Sequence, residues 1–200
     1  MDDERTHKTL LDRSFFSQPT LQVARQILGA FLVRIQNGQR IVGVITETEA
    51  YIGQADLSCH ASHGKTERNK VMFGAPGFAY VYFTYGMHWL LNLVTEVEGF
   101  PAAVLLRAII PIQGKEIIAQ RRGKANPTQW TNGPAKLCQA LNIDGSFNGI
   151  DLCDPDSALF IEAGNPLPDE KVRTSARIGL NNVPQPWKDI PWRFYVSAID

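Results

Sequence analysis

Two carboxylates, a histidine and a group of tyrosines lie close together in one stretch of this chain. The residues are Glu47-Thr48-Glu49-Ala50-Tyr51, His60, Arg68-Asn69 and Tyr80-Val81-Tyr82-Phe83-Thr84-Tyr85-Gly86-Met87. Aromatic rings hold a flat aromatic ligand by stacking, and a carboxylate in a partly dry site holds and deprotonates water. The combination suits acid–base chemistry beside a bound planar ring. A glutamate in a strand is ordinarily a solvated edge residue. Beside Glu47, just before Tyr51 and with His60 following, Glu49 reads better as a hydrolytic base. Strand period 2 places Ile45, Glu47, Glu49 and Tyr51 on one face and Thr46, Thr48 and Ala50 on the other. Two like charges that close raise one pKa, which suits a base.

Other candidates surround this group. Arg107 interrupts the apolar run Val104-Leu105-Leu106-Arg107-Ala108-Ile109. A buried arginine needs a carboxylate or a phosphate, so it is either an ion pair with a strand glutamate or an anion contact. Asn92 follows Tyr85 on the return strand, where a side-chain amide can read or exclude base edges. A tyrosine–valine–tyrosine strand is more often cross-strand packing than a ligand cage. Tyr85 differs because it precedes Gly86 at the tip of a hairpin, where a large exposed ring has little structural reason to be. Proteins that extrude bases from a duplex fill the vacated space with such a side chain. Cys59, His60 and His63 fit none of the common zinc frameworks, so a single pocket histidine is the preferred reading and no cofactor is expected.

The elements that must position these groups are those of one domain. The chain has 200 residues, 44% apolar and 20% charged, which is ordinary for a folded protein. Twelve prolines and sixteen glycines point to many turns and short elements. Residues 1–13 read as a flexible lead and residues 14–200 as the domain. Thr20 reads as the cap of a helix over 21–28. A strand over 31–35, the Asn37-Gly38 turn and a return strand over 40–50 form a first hairpin. The segment 53–75 reads as a long polar loop. Strands over 78–84 and 89–95 form a second hairpin, and a strand over 103–110 ends at Pro111. Helices follow over 114–122 and 133–141, then strands over 159–162 and 192–198. The expected fold is α+β: a curved antiparallel sheet with peripheral helices and a protruding hairpin.

No apolar run is long enough to span a membrane, and Met1 to Lys8 lack the apolar core of a signal peptide. Three widely spaced cysteines read as free thiols. Together these imply a cytoplasmic, nucleoid or nuclear protein that is not secreted. The formal net charge is zero, yet residues 63–136 carry a net charge of +5, whereas residues 142–170 hold seven acids and no Lys or Arg. The basic middle suits phosphate, with Arg68, Lys70 and Lys136 as candidates.

Taken together, these residues resemble the alkyladenine (3-methyladenine) DNA glycosylase family. The resembling stretches are Glu47-Thr48-Glu49-Ala50-Tyr51, Arg68-Asn69 with Met72-Phe73, Tyr80-Val81-Tyr82 with Tyr85-Gly86-Met87, Leu105-Leu106-Arg107-Ala108, Gly133-Pro134-Ala135-Lys136-Leu137-Cys138-Gln139-Ala140-Leu141, and Arg193-Phe194-Tyr195-Val196. They occur in the family's order from about residue 14 to 198.

The resemblance implies a monomeric, monofunctional glycosylase without metal. Its substrate is double-stranded DNA with alkylated or deaminated purines, and its product is an abasic site. It implies Glu49 as the base that activates water and Arg107 as the residue positioning that water and the target nucleotide. By the same resemblance Tyr51 is expected to form one wall of the base pocket, and His60 and Tyr82 the other. Asn92 is expected to crowd the guanine 2-amino group, and Tyr85 to replace the flipped nucleotide. The chain departs from the family in carrying Glu67 where proline is frequent, and in being less basic overall. Two rival readings remain: a nucleic-acid binding module that needs the tyrosines but not Glu49, and a metal-dependent hydrolase using Cys59, His60 and His63.

Overall fold

The computed structural model describes residues 9–196. The chain forms α1 (Arg13–Phe16), α2 (Thr20–Gln26), β1 (Phe31–Gln36), β2 (Gln39–Ile52), β3 (Ala79–Thr84), β4 (His88–Val94), β5 (Ala102–Gln113), α3 (Lys115–Arg122), α4 (Pro134–Leu141), β6 (Leu159–Glu162), β7 (Val172–Ser175) and β8 (Arg193–Val196). All eight strands join one antiparallel sheet, in the order β3-β4-β5-β2-β1-β6, with β8 bridging β2 and β7. The expected α+β class and antiparallel sheet hold. Of the lead drawn over 1–13, residues 1–8 lie outside the described residues. Leu10 already bridges Glu162, and the Leu11 amide donates to Ile161. The last residues of the strand drawn over 192–198 also lie outside.

β2 organises the sheet. Its first half pairs with β1 across the Asn37-Gly38 turn, its second half pairs with β8, and β5 runs along its other edge. One sheet face packs on the helices. Ile45, Ala50, Val81, Leu91, Leu93, Val104 and Leu106 meet Val23, Ala24 and Ile27 of α2 and Leu137, Ala140 and Leu141 of α4. Each fully buried aliphatic side chain there contributes about 1.5–3 kcal/mol. The opposite face carries Tyr80, Ala103, Val94 and Tyr51 under Cys59, Ala61 and Met72 of the 53–75 segment.

The alternation expected along β2 is corrected by a bulge. Ile45 and Ala50 both lie in the core on the helical face, which strict period 2 forbids. The register against β5 slips on both sides of Glu47. One inserted residue reverses the alternation. Ile45 therefore faces the helices, while Glu47, Glu49 and Tyr51 face the other way.

Three further expectations change. Thr20 is the first helical residue and not the cap. Glu96 reaches in from the end of β4 and accepts from the Thr20 amide at 3.1 Å, which satisfies a helix-end donor. β5 runs through Pro111 to Gln113, pairing Pro111 with Gly43. β4 pairs only as far as Leu105, so a missing N–H beyond it breaks no ladder. β7, absent from the sequence reading, is short and only partly covered, with little apolar pattern to signal it.

The long polar segment is tied down by one buried side chain. Asn69 donates to the carbonyls of His60 and Gly64, both at 2.9 Å, and accepts from the Thr66 amide at 2.6 Å. A loop rich in polar backbone groups needs such partners to pack against a sheet.

Candidate active site

The bulged strand and its neighbours line up a row of side chains across the sheet. Register pairs Tyr80 with Asn92, Asn92 with Leu105, and Leu105 with Glu49. At about 4.8 Å per strand, the row runs about 14 Å from the tyrosines to the carboxylate. A cavity of about 340 Å³ opens over it, walled by Tyr51, His60, Tyr82, Asn92 and Arg107 and closed by Ile178-Gly179-Leu180. That lies at the small end of ligand pockets, which hold about 300–1,000 Å³, and suits one flat ring.

Glu49 is fully buried immediately behind this lining, in contact with three residues that form it. Oε2 accepts from the Tyr51 hydroxyl at 2.9 Å and lies 3.2 Å from Arg107 Nη1, and Oε1 accepts from the Ile178 amide at 2.6 Å. A carboxylate offers about four acceptor positions, so these partners leave about one for water. Burial raises the Glu49 pKa. Arg107, the Ile178 N–H and the Tyr51 hydroxyl each work against that rise without cancelling it. A carboxylate lifted toward the working pH is a better base.

Arg107 joins both carboxylates. Its Nε donates to Glu47 Oε1 at 2.7 Å, and Arg193 Nε donates to the same oxygen at 2.7 Å. Burial opposes the Arg107 charge, but Glu49 and Glu47 more than offset it. Of the two alternatives left open for Arg107, the ion pair to the strand glutamates forms, and the side chain also lines the cavity.

The aromatic wall is built from pairs. The His60 and Tyr82 rings meet edge to face at 4.4 Å, and His60 Nδ1 lies 2.9 Å from the Tyr80 hydroxyl. Burial among these rings, with the nearby Arg68 charge, pushes the His60 pKa down to about 4. The ring is exposed toward the cavity, so water weakens the shift, but the imidazole is neutral at neutral pH. Burial lifts the Tyr82 hydroxyl to about 12, so it keeps its proton. Asn92 is buried, with Nδ2 donating to the Tyr80 carbonyl at 3.1 Å.

The remaining candidates are Tyr85, Arg68, Lys70 and Lys136, of which Tyr85 lines the cavity. Tyr85 is 84% exposed at the tip of the β3–β4 hairpin. Tyr85 and Gly86 both have positive φ, 51° and 66°, and the Met87 amide donates to the Thr84 carbonyl, which is the two-residue turn that favours Asn-Gly. Arg68 donates to the Phe83 carbonyl at 3.0 Å and stands over the Tyr82 ring, so it also braces the hairpin. Lys70 pairs with Glu67 at 2.8 Å, and Lys136 donates to Asn132 beside the start of α4. Among the described residues no group of three or more His, Cys, Asp or Glu is placed to hold a metal. His63 bonds Ser62, and the buried Cys59 thiol is pushed up to about 11 by burial.

Sequence reasoning missed the C-terminal side of the site. Ile178 to Leu180 and Arg193 come from segments far from Glu49 in sequence, and nothing in their local pattern signals a pocket. Tyr80 was legible as a same-face neighbour of Tyr82 but was not assigned a role in the site.

The chain is similar to known proteins over most of its length. A protein of Carboxydothermus hydrogenoformans named "Putative 3-methyladenine DNA glycosylase" is 48% identical over 188 residues, covering 94% of this chain and 95% of that protein. Proteins of the same name from Methanocella arvoryzae and Myxococcus xanthus are 48% and 45% identical, covering 93% of this chain in each case and 92% and 89% of the relatives. The protein is a monofunctional DNA glycosylase, a hydrolase of base excision repair that acts on alkylated purines. It belongs to the methylpurine-DNA glycosylase family, whose model, described as Methylpurine-DNA glycosylase (MPG), matches residues 14–199.

Proposed function

We propose that this protein flips alkylated and deaminated purines, 3-methyladenine among them, out of double-stranded DNA and hydrolyses the N-glycosidic bond with Glu49 as the base. The observation that carries this reading is the buried Glu49 carboxylate, shared by Arg107, Tyr51 and Ile178, directly behind an aromatic cavity sized for one base. Extruding a base costs a few kcal/mol, less at a damaged pair. Stacking it against Tyr51 and the His60–Tyr82 pair returns roughly 1–3 kcal/mol. A cationic alkylated purine gains about 0.5–2 kcal/mol more from the ring faces. It is also a good leaving group, so Glu49 acts chiefly by activating water and by stabilising the cationic sugar. His60 Nδ1 is engaged by Tyr80, which leaves Nε2 for the base. The protein acts as a monomer, with Arg68, Lys70 and Lys136 on the side that meets phosphate.

The test is incubation with duplexes bearing 3-methyladenine, 7-methylguanine, hypoxanthine or ethenoadenine, followed by alkaline cleavage at abasic sites. Alkylated duplexes are cleaved and undamaged ones are not. Asn92→Ser should raise release of normal guanine, because the shorter side chain no longer crowds the 2-amino group. An unchanged guanine background in that variant removes the gatekeeping role.

Tyr85 is the proposed wedge. A bulky residue at positive φ costs roughly 1–2 kcal/mol, and the ring gains no packing in return. Tyr85→Asn should therefore melt at the same temperature as the wild type or slightly higher. Tyr85→Ala should change stability by no more than about 0.5 kcal/mol, yet both variants should lose discrimination between lesion-bearing and normal duplexes. A large fall in melting temperature would make Tyr85 a packing residue.

A further inference from the structure

On the side of the cavity away from the tyrosine hairpin lies a second ion pair that the chemistry above does not use. The side chains of Arg177 and Asp56 are both fully buried. They meet fork to fork, Nη1 to Oδ2 at 2.5 Å and Nη2 to Oδ1 at 3.0 Å. Arg177 also donates to the Ala50 carbonyl at 2.9 Å and to the Trp187 carbonyl at 3.2 Å, and it stands over the rings of Tyr51 and Trp192. Asp56 in turn accepts from the amides of Ile52 and Ser58 and from the Ser58 hydroxyl. One guanidinium thus ties together the end of β2, the turn that leads into His60, and the segment 176–180.

A buried ion pair is a poor way to gain stability. Desolvation costs several kcal/mol per ion, and a well-packed apolar pair commonly does as well or better. What a bidentate fork supplies is fixed geometry. Here that geometry reaches the reacting group, because the next residue in the chain is Ile178, whose amide donates to Glu49. With Arg177 anchored inward, the following peptide is held against the carboxylate, and Ile178 to Leu180 are laid along the cavity wall.

We propose that Arg177, locked by Asp56, is a positioning residue that holds the Ile178 amide on Glu49 and the Tyr51 ring in the base pocket. The proposal rests on the reading of Glu49 as the base. Removing an N–H donor from a carboxylate raises its pKa. The other groups facing Glu49 are Arg107 from β5, Tyr82 from β3, and Glu47 and Tyr51 from its own strand. Arg107, Tyr82 and Glu47 have other anchors when Arg177 changes, whereas the Tyr51 ring lies under Arg177. A movement of the Glu49 titration in an Arg177 variant therefore reports the two contacts the proposal assigns to Arg177, the Ile178 amide and the Tyr51 hydroxyl.

The experiment is single-turnover base release from a duplex carrying one 7-methylguanine, followed from about pH 5 to about pH 9. It compares the wild type, Arg177→Lys, Arg177→Gln and Glu49→Gln, each with thermal melts to fix the folded fraction. Per folded molecule, both Arg177 variants should be slower by about 100-fold, the loss that a misplacement of about 1 Å produces. Their acidic limb should move up by about one pH unit. Arg177→Lys keeps the charge and loses the fork, so a limb that moves only in Arg177→Gln makes the effect one of charge and overturns the proposal. An unmoved limb, with rates explained by folded fraction alone, makes the pair a structural staple and overturns it too. If Arg177→Gln does not fold, Asp56→Asn takes its place, with a smaller upward displacement expected and none overturning the proposal. Glu49→Gln separates the two failures: wild-type rates there sink the reading of Glu49 itself, whatever Arg177 does.

Discussion

Glu49→Gln should lower the single-turnover rate of base release by about 10²–10⁴-fold, the contribution of a positioned general base. It should leave binding to a lesion-bearing duplex intact and should not lower the melting temperature. The last point follows from the sign of the pKa shift. Burial raises the folded-state pKa of Glu49 above the value the group has in the unfolded chain. Between those two values the native state still holds a proton that the unfolded state has lost, so stability falls as pH rises through that interval. Above it the ionised carboxylate is a standing cost. Gln keeps the size and an acceptor for the Ile178 amide without that cost. At neutral pH the variant should melt at or above the wild-type temperature, and the difference should vanish near the unfolded pKa. Melts at acid and neutral pH, paired with rate assays, check both halves. A variant that binds DNA and still releases base at the wild-type rate would remove Glu49 from the chemistry and leave a binding module or another base. A variant that melts well below the wild type would mean that Glu49 is there for structure.

Arg107→Leu should damage both stability and rate. The guanidinium is nearly buried between Glu47 and Glu49, and Glu49 is completely buried. Glu47 keeps Arg193 when Arg107 is lost, but Glu49 keeps only two neutral donors. Leaving a buried charge without its partner costs about 3–5 kcal/mol. The loss depends on pH, with a definite sign. Without Arg107 the folded pKa of Glu49 moves further above the unfolded value, so the destabilisation grows as pH rises and is relieved as the carboxylate takes up a proton. Denaturant unfolding at acid and at alkaline pH should show a larger loss at the higher pH, and the acidic limb of the rate profile should shift upward. An equal loss at both pH values would mean that the damage is packing and not charge. In the Glu49→Gln background the same substitution should cost clearly less, since the two residues act as one unit.

Much of this was legible in one dimension. The hairpin at Asn37-Gly38 was readable because that dipeptide accepts positive φ at both positions. The Tyr80-Tyr82 face and the tip position of Tyr85 followed from strand period and a glycine. The buried arginine in an apolar strand announced a partner, and the carboxylates were the nearest choice. Where the reading failed, the cause was non-local. Pro111 stays in a strand because β4 stops pairing before it. Thr20 is capped by a glutamate 76 residues away. The arrangement of Arg193, Arg177 and Ile178 around Glu49 carries no local signature.

The sequence by itself determined the chemistry at hand: a carboxylate pair, tyrosines, a histidine and an arginine, on strands whose type and approximate order follow from side-chain pattern and turn residues. Those are local properties, set by backbone sterics over a few residues. Only the tertiary structure decided which carboxylate is the buried one and what surrounds it. A single bulge at Glu47 turns the acidic half of β2 away from the helices. Pairing with β5 and β8 then brings in two arginines, and the 176–180 segment closes over Glu49 with a backbone amide. The pKa that makes a base is the balance of burial against those partners, and burial is a property of the assembled sheet.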